Sequence, residues 1–289
     1  IMSSDWSSDV CSSDLLRTIV DVDRSEAVEL GLYARAAYEA GDLRLASLLA
    51  ERGLLRFPDD VTLRRIDVEV LIRREAWSDA LEAALGLLAM KPVDGLAWAQ
   101  LAAAADRAAP ELAVPALEAA TLVAPERHGY ALRLARKLYD LGDHERVVEL
   151  VDERLKRGVG DLASAFRQLG VSSAVSARDW RAAAKWARSS QSRDIELLVD
   201  AHAKLDAGRV DAALEQFSQV ASRRRLPTDQ LWSLVEVADG ADRPGLKTYF
   251  ARAALARCDV WAPAAAAVLA TQAERKIDPD QLLRASCGG

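Results

Sequence analysis

Cysteine is scarce. Three residues, Cys11, Cys258 and Cys287, serve a chain of 289. None forms a CxxC pair, which excludes zinc ribbons and thioredoxin-type redox motifs. An odd, scattered set also argues against a disulfide framework and fits a reducing compartment. No apolar run reaches the ~20 residues that a bilayer-spanning helix needs, so no membrane insertion of this segment is expected. A basic excess is lacking too: 38 Lys and Arg face 44 Asp and Glu, for a net charge of −6, where nucleic-acid binders usually carry a positive balance. No segment alternates as a β-strand does.

Chemistry-bearing motifs are equally absent. The chain has no HExxH pair, no GxSxG, no Walker loop and no GxGxxG after a strand. Its histidines are His128, His144 and His202, and the first two read as solvent-facing residues near turns. No catalytic residue, cofactor or metal is therefore expected, and the chain reads as a non-enzyme. Arg223-Arg224-Arg225 could attract phosphate, but it ends a helical pattern, where cations complement the helix dipole.

What the chain does have is apolar mass. Hydrophobic residues make up 51% with only 6% aromatic, so the share rests on Ala and Leu, both strong helix formers. Glycine and proline fall at regular intervals between helical patterns, as punctuation does.

The two ends differ from the rest. Ser-Ser-Asp occurs three times in residues 3–14, around Trp6, Val10 and Cys11, without helical or strand period. This stretch resembles translated sequencing-adapter DNA joined to a gene fragment. Residues 1–15 are accordingly expected to be a disordered, artefactual tail, 16–283 the folded array, and 284–289 a second disordered tail. Without Asp5, Asp9 and Asp14 the charge is near −3.

Within the array the sequence repeats. Pro58, Pro92 and Pro125 are 34 and 33 residues apart, and Gly41-Asp42 and Gly142-Asp143 each separate two helical patterns. The first unit, 27–60, carries Leu30, Tyr33, Ala34 and Ala37, the Gly41-Asp42 turn, then Ala46, Ala50, Gly53 and Pro58. Small residues fall where two helices must approach closely. Further units follow at 61–94, 95–127, 128–161, 162–192, 194–227 and 228–259. The second has Glu75 where glycine is usual, and a stiffer turn is expected there. The third is one residue short at the turn and holds Pro110 and Pro115; Pro115, about one turn into the helix, predicts a late start or a slight kink there. A last helix over 261–276 has no evident partner. A period near 34 with two helices per unit is the tetratricopeptide signature, and residues 27–259 resemble that family. The resemblance implies an all-α, right-handed α-solenoid of about seven helix pairs plus a terminal helix, in which neighbours stack to bury a continuous core.

The resemblance also implies a function. Such arrays bind proteins or peptides on the face lined by the first helix of each pair. Carried across, that face holds Arg35, Tyr38 and Glu39 in the first unit, and Arg65, Glu69, Ile72 and Arg73 in the second. It holds Ala99, Ala103, Asp106 and Arg107 in the third, Leu132, Arg136, Tyr139 and Asp140 in the fourth, and Leu198, His202, Leu205 and Asp206 in the sixth. Recurring arginines among tyrosines in the first four units suit an extended or helical partner peptide with some acidic character; the competing reading is ordinary solvated charge. On this expectation, replacing Arg65, Arg73 and Arg136 by Glu abolishes capture. The carboxylate clamp of chaperone-binding relatives is not matched, since Gly31, Arg35, Ile66, Leu96 and Gln100 stand at its positions.

The chain thus reads as a protein-interaction scaffold. One alternative is the repeat region of a larger bacterial enzyme or of an envelope polysaccharide-export or glycosyltransferase protein, which the Ala/Arg/Leu/Asp-rich composition would suit. Another is an RNA-binding helical repeat, disfavoured by the acidic balance. A cytoplasmic location is expected, with the periplasm left open by the foreign start.

Overall fold

The structure is a computed structural model, and it describes residues 24–223, 226–272 and 277–287. The adapter-like stretch, Cys11, Arg224, Arg225 and residues 288–289 lie outside the described residues. Sixteen α-helices are described, with no strand among these residues. Two compact units are distinguished, one up to Gly142 and one from Asp143 onward.

The N-terminal unit holds α1 (Ala27–Glu39), α2 (Leu43–Arg56), α3 (Val61–Arg73), α4 (Trp77–Met90), α5 (Gly95–Ala108), α6 (Ala113–Val123) and α7 (His128–Asp140). Three of these starts are capped by an aspartate. Asp42, Asp60 and Asp94 accept hydrogen bonds from the backbone N–H of Leu45, Leu63 and Ala97 at 2.9, 2.8 and 3.3 Å, satisfying donors that the first helical turn leaves open. The turns of the first two pairs use a left-handed residue, supplied in the first by Gly41 at φ 82. Glu75 takes that role at φ 59. In the third unit a 3-10 turn, Pro110–Leu112, precedes α6, which begins only at Ala113, the late start expected around Pro115.

Consecutive helices pack antiparallel, and α1, α3 and α5 also stack on one another in sequence. The core of the first pair joins Leu30, Ala34, Leu49 and Ala50 to Leu63 and Ile66 of the next. Full burial of each large side chain contributes roughly 1.5–3 kcal/mol. Gly53 is required by this packing, because a Cβ there would lie 2.7 Å from Leu63 Cδ1.

The second unit holds α8 (His144–Arg157), α9 (Ala163–Ser176), α10 (Trp180–Ser189), α11 (Arg193–Asp206), α12 (Val210–Arg223), α13 (Thr228–Gly240), α14 (Pro244–Leu255), α15 (Ala262–Gln272) and α16 (Pro279–Cys287). Phe217, Leu231, Leu234, Phe250 and Ala265 anchor its larger core.

Helix bounds agree with the seven expected repeat units, and the architecture is that of an all-α solenoid, with helix pairs stacked within each unit. The chain's end departs from expectation. The helix expected alone over 261–276 is α15, and it has a partner in α16. Residues 284–287, expected in a tail, are the last turns of α16, because Leu282, Leu283 and Cys287 pack on the core. A disulfide joins Cys258 to Cys287, their Cα atoms 5.3 Å apart. The scattered spacing that argued against disulfides is bridged because α15 and α16 fold back on each other.

Candidate functional site

The repeat length decides what meets on the first-helix face of the N-terminal unit. Residues about 34 apart occupy equivalent places on α1, α3, α5 and α7, so charges at related offsets become neighbours. The Arg35 guanidinium engages both carboxylate oxygens of Glu69, with Nη2 to Oε1 at 3.3 Å. Gln100 on α5 donates through Nε2 to the same Glu69 Oε1 at 3.1 Å. Arg65 donates to Asp94 Oδ2 at 2.5 Å, and Lys137 pairs with Asp106. Arg133 Nη2 donates to the Ala99 carbonyl at 3.2 Å. These contacts form a ladder between successive first helices.

Electrostatics follow the ladder. The hydrogen bond to Glu69 pushes the Arg35 guanidinium above its ordinary value. Burial alone would raise the Asp94 carboxyl, but hydrogen bonds from Arg65 and from the Ala97 N–H outweigh it and hold it below the usual range. Both groups stay charged across the physiological range, as interaction with an opposite charge requires.

Tyr38 lies between two cations. Arg35 and Arg73 place their guanidinium carbons 5.6 and 5.7 Å from its ring centroid, within the range where the ring's electron-rich face attracts a cation. Farther along the face, a cleft of about 350 Å³ opens with a floor of Ile72, Ala102, Ala103 and Leu117 beside Trp77. Its polar rim carries Arg107, Arg133, Arg136 and Lys137 against Asp106 and Asp140. Four cations therefore face two carboxylates, and one carboxylate, Asp106, is already paired.

The residues expected on this face are thus divided in role. Arg35, Arg65 and Glu69 are half-buried, and their ion pairs tie α1 to α3 and α3 to the start of α5. Arg73, Arg107, Arg136 and Glu39 are exposed, and Tyr139 is half-buried. Arg107 and Arg136 make no ion pair among the described residues. His202 belongs to the second unit. There its ring meets Phe217 edge-on at 4.9 Å and shares a 3.0 Å hydrogen bond with Gln230, and burial pushes its pKa down. These contacts pack the ring against α12 and α13.

The expectation did not single out Lys137, Asp94 or the bridging role of Gln100. The available signal was the offset: Gln100 follows Glu69, and Lys137 follows Asp106, by 31 residues. Trp77 and Trp180, at equivalent starts of second helices, each line a cleft, and Trp180 donates to Asp206 at 3.0 Å. Among the described residues no group of three or more His, Cys, Asp or Glu is placed to hold a metal ion. No described helix is long and apolar enough to cross a membrane.

No protein-family model and no curated protein sequence matches the chain. Solved structures do. A tetratricopeptide repeat protein from Parabacteroides merdae superposes with a TM-score of 0.52 at 11% identity, over 84% of this chain and 97% of that one. YrrB, described as a tetratricopeptide repeat protein with an unusual peptide-binding site, gives 0.50 at 14%, over 67% and 97%. The Naa15/Naa10 complex bound to HypK-THB gives 0.54 at 14%, over 90% of this chain and 41% of that one. At such identities the likeness is one of fold: this is a tetratricopeptide-like helical repeat.

Proposed function

We propose that this chain is a non-catalytic interaction scaffold whose first-helix face, in the N-terminal unit, holds an acidic segment of a partner protein. The observation that supports it is the charge left after internal pairing. Glu69, Asp94 and Asp106 are occupied by Arg35, Arg65 and Lys137, while Arg73, Arg107 and Arg136 remain exposed around an apolar cleft. Arginine and tyrosine beside a small apolar floor are the usual ingredients of an interface anchor. The fold is shared with YrrB, on which a peptide site is described. The Cys258–Cys287 bond favours an oxidising compartment such as the periplasm over the cytoplasm first expected.

The test is selection of ligands from a displayed peptide library by the whole chain, followed by titration against variants. Arg65 is unsuitable for charge reversal, since R65E would set two carboxylates against each other at Asp94. The R73E/R107E/R136E variant replaces it, because all three side chains are exposed. Selected ligands should be acidic and lose at least about tenfold in affinity, a change of about 1.4 kcal/mol. Ligands indifferent to the triple change would place the binding surface elsewhere, and binding displaced by RNA with strong salt dependence would revive the nucleic-acid reading.

A further inference from the structure

The exposed charge on this face is patterned, and the pattern specifies the occupant. Glu39, Arg73, Arg107 and Asp140 stand in the last turns of α1, α3, α5 and α7, 34, 34 and 33 residues apart. All four are exposed, and none takes part in an ion pair among the described residues. Read across the helices the signs run negative, positive, positive, negative. Arginines near a helix C-terminus complement the helix dipole, but that rule would not place Glu39 and Asp140 in the same turn.

Helices in direct contact lie about 8–10 Å apart. The stacking of α1 on α3 and of α3 on α5 therefore sets the first two steps between successive charges, and the Lys137–Asp106 and Arg133–Ala99 contacts hold α7 beside α5 for the third. An extended chain covers about 3.3 Å per residue, so three residues span one step. A helical ligand would need about seven residues for the same step, at 1.5 Å each.

The cleft distinguishes these two forms. It measures about 350 Å³, enough for a few side chains. A helix 10–12 Å across displaces about 420–610 Å³ in every turn.

Building on the acidic-partner reading above, we infer that the occupant is an extended segment of pattern base-x-x-acid-x-x-acid-x-x-base. Its two acids meet Arg73 and Arg107, its flanking bases meet Glu39 and Asp140, and an apolar spacer enters the cleft beside Arg136. The pattern is symmetric, so it holds for either chain direction.

Three labelled synthetic probes test this by fluorescence anisotropy against the whole chain. One is a decapeptide of this pattern with Thr and Val spacers, one has the same charges scrambled, and one is an Ala-based helix with acids seven residues apart. The first should bind at least about tenfold more tightly than the others. R73E/R107E should lose that binding and gain binding of a decapeptide whose central acids are replaced by lysine. Equal or tighter binding of the helical probe, or no exchange of preference in the charge swap, overturns the inference. The acidic-partner reading is judged separately. Library ligands that need Arg73, Arg107 and Arg136 but lack the three-residue spacing overturn the register alone, whereas ligands that ignore all three arginines overturn both.

Discussion

Arg35 on α1 clasps both carboxylate oxygens of Glu69 on α3, and Gln100 on α5 donates to the same carboxylate, so three successive repeats share one charged group. Both side chains keep some exposure, 33% and 18%, and water screens part of the attraction. A double-mutant cycle of Arg35→Ala and Glu69→Ala, read by chemical denaturation, should give a coupling near the upper end of the exposed-pair range, about 1 kcal/mol. A coupling indistinguishable from zero would remove the ladder from the list of features that hold the repeats together.

The turn at Glu75 is stabilised poorly by its own residue. A non-glycine side chain at φ 59 costs roughly 1–2 kcal/mol against the right-handed alternative, while glycine adds conformational entropy to the unfolded chain. Glu75→Gly should raise stability by about 0.5–1 kcal/mol. Gly53→Ala should act oppositely. Its Cβ meets both methyls of the buried Leu63, at 2.7 and 3.1 Å, and overpacking of about 1–3 kcal/mol exceeds alanine's helix advantage. Thermal melts of the two variants moving in the same direction would contradict this account.

Those two positions show what the residues disclosed and what they withheld. Gly53 and Ala46 marked close helix approach, and the proline spacing marked the pairs, because both are imposed by local backbone geometry. Glu75 was noticed only as a departure from glycine. The left-handed turns at Arg178, Gln191 and Asp242 gave no such signal, since nothing in those side chains demands positive φ. The face residues were legible by register, but not their division into paired and exposed groups. That division depends on which carboxylate lies about one repeat away in space, as Asp94 does from Arg65. The end of the chain is not legible from its residues, because helix pairing there joins Cys258 to Cys287 and spacing alone carries no record of it.

Asp152 on α8 gives the second unit a pH signature. Hydrogen bonds from Lys156, one turn on, and from Lys185 on α10 hold its carboxyl below the usual range. A carboxyl whose pKa falls on folding stabilises the native state above its unfolded value, about 3.9, and loses that contribution as pH drops through the folded value. Asp152→Asn should therefore be less stable than the parent at pH 7 by roughly 0.2–1 kcal/mol. The gap should close below about pH 4. A gap that persists or widens in acid would show that the amide disturbs packing instead.

The last prediction concerns Cys258 and Cys287. Their bond closes a loop with a sequence separation of 29, and on the chain-entropy account such a closure stabilises by about 3–4 kcal/mol. The effect should be local, since α16 rests on α15 and on the edge of the core through Leu282 and Leu283. Cys258→Ser and Cys287→Ser should each expose α16 to proteolysis well before the rest of the second unit. Alkylation provides the direct check. The unreduced chain should accept one label, on Cys11, and the dithiol-reduced chain three, matching the cysteine count. Three labels without reductant would show two free thiols, and with them would go the argument for an oxidising compartment. One label without reductant, together with early cleavage of α16 after reduction, would establish the bond as the clasp that keeps the final helix pair closed.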